Sequence, residues 1–243
     1  MTRNYQEMTW TPERVARFWA WQSRHPEQYF TYLFGDTIVR HLTPWLNGGK
    51  HVLDYGCGTG FLIPHLSERA ESVVGTDLSP ESVAATNDRH GGIASFSGAF
   101  TLEALRQRPE RYDIITVIEV VEHLQDRELD ALFVDLRDLL APGGMAIITT
   151  PNDENLALSE VYCPATDEVF HRYQHVRSWT AETLEQRVEQ SGFAVIRAFT
   201  TDLSDAGWRR PVQALLRFAE RLRGGQRAAP HLVCICRAAD PRP

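Results

Sequence analysis

The run Val52-Leu53-Asp54-Tyr55-Gly56-Cys57-Gly58-Thr59-Gly60 constrains this chain more than any other stretch. Two apolar residues close a short strand and an aspartate stands at its carboxyl end. Three glycines at alternate positions then make a turn with little room for side chains, before a helix that begins near Phe61. Glycine is needed where backbone takes positive φ or comes into contact with a ligand. A strand, a glycine turn and a helix start are also how open α/β sheets build a nucleotide crevice. The spacing is G-x-G-x-G, not the G-x-G-x-x-G of dinucleotide enzymes, so the neighbouring segments decide which ligand is meant.

Those neighbours agree. Residues 72–76, S-V-V-G-T, read as a strand ending in Asp77, followed by Leu78, Ser79 and Pro80. An acid about 20 residues past such a turn is placed to accept hydrogen bonds from ribose hydroxyls. Residues 112–120, Y-D-I-I-T-V-I-E-V, form a buried strand that runs into E-V-V-E-H at 119–123, and L-A-P-G-G at 140–144 turns into another buried strand at 145–149. In this order and at these distances the segments resemble the class I S-adenosylmethionine-dependent methyltransferases, over residues 48–200.

Strands are expected at 51–55, 72–77, 94–97, 112–119, 145–150, 194–200 and 231–238, and helices at 60–69, 79–89, 101–107, 127–140 and 180–191. Such alternation implies a parallel sheet with helices on both faces. The resemblance makes this an α/β, Rossmann-like, doubly wound sheet of seven mostly parallel strands, with the last strand antiparallel beside the fifth. Thr11-Pro12-Glu13 starts a helix, and the aromatics Phe18, Trp19, Trp21, Tyr29, Phe30, Tyr32 and Phe34 follow at helical spacing. The whole chain, 1–243, is expected as a single domain. It divides into a helical cap (1–50), a cofactor-binding half (51–150), a lid insertion (151–179) and a C-terminal half (180–238) with a helical insertion at 201–230.

The resemblance implies S-adenosylmethionine as cofactor. Gly56, Cys57, Gly58 and Gly60 would let its methionine end approach the backbone, and Asp77, with Leu78 beside it, would hold the ribose. Asp54 would orient the turn or accept from the cofactor's ammonium group. Gly98 and Ala99 would contact the adenine, Ile118 would face the same pocket, and Glu119 would touch the cofactor. None of these is expected to move a proton.

The E-x-x-E-H stretch is where chemistry is expected. Glu119, Glu122 and His123 stand at i, i+3 and i+4, which on one helical turn gives a common face. Two carboxylates and an imidazole suit a divalent cation: Mg²⁺, Mn²⁺ or Zn²⁺. The pattern resembles the ubiquinone-biosynthesis O-methyltransferases, which act on a catechol. It is also similar to the small-RNA 3′-terminal 2′-O-methyltransferases, which hold a metal with E-x-x-E-H and a later histidine, here His175. Thr150-Pro151-Asn152 with Glu154, and His175 ahead of Trp179-Thr180, are likewise similar to the RNA enzymes. The alternatives are that Glu119 only touches cofactor, that Glu122 caps or pairs, and that His123 is a metal-free base.

Long connections at the carboxyl edge of a sheet are usually functional, so 151–179 is read as a lid bringing His171 and His175 over the acceptor. Cys163, His171 and His175 are also candidate zinc ligands, but Thr166 leaves C-x-x-C incomplete. Residues 208–224 read as an amphipathic helix ringed by Arg209, Arg210, Arg217, Arg221, Arg223 and Arg227, a solvated face before it is a site for an anionic partner. The net charge of −7 argues against a broad nucleic-acid surface. Cys57, Cys163, Cys234 and Cys236 show no framework spacing, the N-terminus has no apolar leader and no run approaches a membrane span, which together predict a soluble cytoplasmic protein. The function expected is O-methylation of a small hydroxylated acceptor; an RNA 3′-end 2′-O-methyltransferase and a non-catalytic cofactor-binding scaffold are the alternatives.

Overall fold

The structure, a computed structural model, describes residues 5–205 and 229–239. The arginine-ringed segment at 208–227 and most of the expected insertion at 201–230 lie outside the described residues. Thr11 caps the first helix by accepting from the Arg14 N–H, and Pro12 fills its first position; this is α1, Pro12–Gln22. After a 3₁₀ turn at Pro26–Gln28 comes α2, Phe30–Leu46.

The strands then alternate with helices: β2 His51–Tyr55, α3 Ile63–Ser67, β3 Ser72–Asp77, α4 Pro80–His90, β4 Phe96–Thr101, α5 Leu102–Arg106, β5 Tyr112–Ile118, α6 Asp126–Leu139 and β6 Leu140–Pro151. After α7, Ala181–Gln190, come β9, Phe193–Thr201, and β10, His231–Ala238. The remaining three strands are β1 Gln6–Glu7, β7 Glu160–Cys163 and β8 Glu168–His171.

The large sheet has seven strands in the order β4-β3-β2-β5-β6-β10-β9. β2, β3, β4, β5 and β6 pair in parallel, and β10 is antiparallel to both of its neighbours. This is the doubly wound, mostly parallel sheet that the alternation predicts. Its strands read as continuous apolar runs because both faces are covered. On one face Leu129, Leu132, Phe133 and Leu136 of α6 and Leu184 and Val188 of α7 pack with Leu53, Ile115 and Ile148. On the other, Ile38, Val39 and Leu42 of α2 and Leu62, Ile63 and Leu66 at α3 pack with Val52, Ile114 and Ile147.

Two local expectations are corrected. The third strand of the sheet runs over Phe96–Thr101, not 94–97, so Gly98 and Ala99 lie within it. Gly98 has φ 102, and the β3–β4 register shifts between Val73 and Gly75; a glycine that reads as a strand end marks an irregularity inside one. Residues 151–179 also carry strands of their own. β7 and β8 form an antiparallel hairpin, and β1 adds to β8 in parallel as a third strand. Alternate positions of β8 are buried, a half-covered period of two that E-V-Y-C-P-A-T-D-E-V-F-H already contains.

Candidate active site

From β2 the chain crosses to β3 and β4 on one side, then returns to β5 on the other. Where the winding reverses, the carboxyl ends of β2 and β5 part and leave a crevice. The sequence motifs expected to bind cofactor end there. Asp54, 3 % exposed, accepts from the Thr116 hydroxyl at 2.9 Å across the β2–β5 pair. Burial pushes its pKa up to about 7, against that hydrogen bond.

In the turn that follows, Gly56 (φ 76) and Gly58 (φ 54) are left-handed, and their surroundings leave no room for a side chain. A Cβ at Gly56 would stand 2.6 Å from Val120, and one at Gly58 would stand 2.8 Å from the Tyr29 ring. The Gly56 and Cys57 N–H groups both donate to the Thr76 carbonyl. Cys57 is buried, and burial raises its thiol well above the ordinary value. Gly60 turns the chain toward α3 against Thr86.

Asp77 holds this turn. Its carboxylate accepts the Gly58 N–H at 2.9 Å and the Ser79 N–H at 2.8 Å, joining the end of β3 to the glycine turn and to the start of α4. Burial raises its pKa, and the hydrogen bonds from Ser79, Gly58 and Leu78 oppose the rise. Each carboxylate oxygen has a second lone pair for another donor. The Leu78 side chain is exposed. Ala99 is clamped by Asn87, whose amide accepts from its N–H and donates to its carbonyl. Ile118 is elsewhere: three strand spacings separate β5 from β4, about 14 Å, and Ile118 packs in the core cluster of α2.

The E-x-x-E-H stretch is a turn and not the helical turn that its spacing suggests. Glu119 is left-handed (φ 53). Its N–H donates to the Thr149 carbonyl and hydroxyl, and its carboxylate accepts from the same hydroxyl at 2.8 Å. Glu122, 1 % exposed, accepts from the Thr150 hydroxyl at 3.0 Å. The turn brings Glu122 and His123 together with His175, each offering a ligand atom within 4.8 Å of the others; Glu119 stands outside that group. Glu122 Oε1 and His123 Nδ1 are buried without hydrogen-bond partners. Burial pushes Glu119 up to about 7, and burial with the Glu119 charge raises Glu122 well above the carboxylate range. Burial, with the His175 charge, lowers His123 to about 3.

His175 arrives on the segment after β8, which is stitched to the turn. The Val176 N–H donates to the Glu122 carbonyl, and the Gln174 amide donates to the His123 carbonyl at 2.9 Å. Gln174 is fully buried, and its Oε1 accepts from the Trp19 indole at 3.0 Å. Trp19 in turn sets its ring edge to face against His123, centroids 4.9 Å apart. Glu154 lies against both His171 and His175. Cys163 does not join them: it pairs with Glu168 at the far end of the hairpin, while His171 pairs with Glu160.

The sequence reading missed Gln174, Trp19 and Tyr29 as parts of the site. Gln174 carries no signal in a single sequence, because its role is a buried amide between two distant segments. Trp19 and Tyr29 belong to the aromatic series of the cap, most of which reads as core with one or two rings left to line the substrate side, and helical spacing does not single these two out. Among the described residues no helix is long and apolar enough to cross a membrane.

Comparison with known proteins agrees with this geometry. A family model described as a methyltransferase domain matches residues 22–198. The ubiquinone biosynthesis O-methyltransferase of Chelativorans sp. (strain BNC1) is 37% identical over 106 residues, 43% of this chain and 41% of that one. The protein of the same name from Sinorhizobium fredii (strain NBRC 101917 / NGR234) is 30% identical over 154 residues, 60% and 61% of the two chains. The chain thus spans two fifths to three fifths of the length of these curated relatives. The DhpI-SAH complex shares the fold with a TM-score of 0.63 at 17% identity, covering 93% of this chain and 96% of that one. The methyltransferase domain of bacterial-CtHen1-C has a TM-score of 0.57 at 22% identity, covering 85% and 97%. The family match takes in β2 to β8 and most of β9, hence both lips of the crevice; the chain belongs to the methyltransferase domain family and has the fold of the S-adenosylmethionine-dependent methyltransferases.

Proposed function

We propose that the chain methylates a hydroxyl of a small acceptor, with a divalent cation held by Glu122, His123 and His175. The observation that carries the cation is the group itself: three donors within 4.8 Å of one another, two of them with buried, unpartnered atoms. A buried polar atom without a partner costs about 1–3 kcal/mol, and a cation would relieve the one at Glu122 Oε1, which faces His123 Nε2 at 3.8 Å. Two imidazoles and a carboxylate favour Zn²⁺ or Mn²⁺ over Mg²⁺, which prefers oxygen ligands. The choice of oxygen as acceptor rests on the relatives named ubiquinone biosynthesis O-methyltransferases, which match part of their length.

The electrostatics favour a ligand role for His123. A metal binds the neutral imidazole, and an imidazole lowered to about 3 is neutral throughout the physiological range. The same value makes His123 a weak proton acceptor near neutrality, which argues against it as a metal-free base. When bound, a divalent cation supplies Lewis acidity that makes a hydroxyl easier to ionise.

The chain's own residues do the rest. The glycine turn and Asp77 would hold the cofactor with its activated methyl toward the end of β5, and the turn at Glu122 and His123 would hold the acceptor in line with it. The hydroxyl ionises as the acceptor binds, its proton passing to bulk water before the site closes; the acceptor oxygen then takes the methyl as the carbon–sulfur bond breaks, and S-adenosylhomocysteine leaves with that bond's electron pair. Trp19, Gln174 and the 151–179 lid would exclude water there, where the charge being neutralised is most sensitive to it. The net charge of −7 favours a small acceptor over RNA.

The test is metal analysis of the purified protein, with turnover of a catechol or phenol measured before and after chelation. A co-purifying metal, with activity lost on chelation and restored by Zn²⁺ or Mn²⁺, is expected. Full activity in metal-free protein would remove the cation from the mechanism.

A further inference from the structure

Beside the proposed cation group lies a second cluster of the same kind. Glu154, His171 and His175 also bring three ligand atoms within 4.8 Å of one another. It has the composition of a metal site, yet its hydrogen bonds argue otherwise. His171 Nδ1 accepts two backbone N–H groups, from Tyr173 at 3.3 Å and from His175 at 3.1 Å. A neutral imidazole carries one proton. With Nδ1 accepting, that proton is on Nε2, so His171 has no free lone pair for an ion. Nε2 lies 3.4 Å from Glu154 Oε1, within ion-pair reach but without a hydrogen bond.

His175 is placed for the opposite tautomer. Its Nδ1 is 2.5 Å from Glu154 Oε2. Glu154 faces both imidazoles from one side, Oε1 toward His171 and Oε2 toward His175. A carboxylate only accepts, so Nδ1 of His175 is the donor and Nε2 keeps its lone pair. The ring is also fixed in plane: it stacks on His171 with centroids 4.4 Å apart and 20° between planes. Gln174, buried and left-handed at φ 62, locks the backbone between them.

We infer that Glu154 is a positioning residue: it fixes His175 as the Nδ1–H tautomer and leaves the Nε2 lone pair to the group of Glu122 and His123. This rests on the role proposed for His175 in that group. A carboxylate behind a ligating histidine fixes the ring's tautomer and orientation and raises its basicity; losing one typically weakens metal binding about 10–100-fold. His171 completes the frame with its Nε2 turned toward the same carboxylate at 3.4 Å, and not as a ligand.

The decisive measurement is imidazole ¹⁵N NMR of the metal-free protein at about pH 8.5, two units above an ordinary histidine. The expected result is His171 protonated on Nε2 and His175 on Nδ1, with the preference at His175 lost in E154Q. Calorimetric titration with Zn²⁺ should show E154Q binding about 10–100-fold more weakly than the unaltered protein, with S-adenosylhomocysteine affinity serving as the check on folding. His175 found as the Nε2–H tautomer in the unaltered protein overturns the inference, as does E154Q with unchanged tautomer and unchanged Zn²⁺ affinity. If the unaltered protein takes up neither Zn²⁺ nor Mn²⁺, the cation reading falls. The tautomer assignment then stands or falls on the NMR alone.

Discussion

Replacing Asp77 with Asn separates two jobs that one carboxylate is expected to do. In the structure it accepts from Gly58 and Ser79 N–H groups, at 2.9 and 2.8 Å. Asparagine has one oxygen, so it can keep one of these bonds while its NH₂ opposes the other donor. Losing a hydrogen bond to a charged group costs about 1.5–3 kcal/mol. Burial already disfavours the ionised carboxyl, so the low end applies, about 1.5 kcal/mol, or about 3–6 °C in melting temperature for a chain of this size. The lone pairs left over are those that ribose hydroxyls would use. Their loss should weaken S-adenosylmethionine about ten- to hundredfold. Calorimetric titration reads the second effect and scanning calorimetry of the ligand-free protein reads the first. If the melting temperature falls as expected while affinity is unchanged, Asp77 only braces the turn and the ribose is held elsewhere. If neither moves, the hydrogen-bonding argument itself is refuted.

Asp54 and Glu119 are both raised to about 7 by burial, so the folded protein keeps protons that the unfolded chain has lost. That stabilisation is complete below the unfolded values and is lost as pH rises through about 7, by up to about 1.4 kcal/mol per unit for each group. The melting temperature of the metal-free protein should therefore fall from pH 6 to pH 8, and a rise over that interval would contradict the burial of these carboxyls. Gln174→Leu should destabilise by about 2–4 kcal/mol in urea unfolding, since it strands the Trp19 indole N–H and the His123 carbonyl; a cost under about 0.5 kcal/mol would mean that neither bond matters. Tyr55→Phe should cost only about 1 kcal/mol, because Asp135, which accepts from the Tyr55 hydroxyl at 2.8 Å, keeps both of its bonds from Arg106. A cost above about 3 kcal/mol would show that the three groups act as one network.

What the sequence made legible follows from the range of the interactions involved. β2, β3 and β5 are apolar runs ended by Asp54, Asp77 and Glu119, and local pattern alone places them and the crevice between them. Pro12, Pro80 and Thr180 mark helix starts within a residue, since caps are made by neighbours in the chain. The errors fall where a distant partner decides. Glu119, Glu122 and His123 have helical spacing, but Thr149 and Thr150 on the adjacent strand take both carboxylates and hold an irregular turn. Cys163 and His171 look like neighbours in sequence until the hairpin register sets them at opposite ends. Glu154 was visible only as part of a motif; its place against two histidines depends on how the lid folds back.

Backbone conformation shows which of these distant contacts shape the site. Four described residues other than glycine have positive φ: Glu119 (53), Asp153 (50), Asp167 (55) and Gln174 (62). Such a conformation costs about 1–2 kcal/mol and persists only where the surroundings over-determine it. Asp167 lies between β7 and β8, where a left-handed residue is ordinary turn chemistry. The other three stand close in sequence to the clustered carboxylates and imidazoles: Glu119 ahead of Glu122 and His123, Asp153 before Glu154, and Gln174 before His175. Each is tied down from another segment. Glu119 is bound by Thr149, Asp153 by the Trp179 carbonyl, and Gln174 by Trp19 and His123. The strain is therefore concentrated where Glu122, His123, Glu154 and His175 are presented, and it is held by contacts from the N-terminal helices, the sheet and the 151–179 segment together. Relaxing any one of the three would turn a polar side chain away from the others, which is why the cluster depends on all three segments being in place.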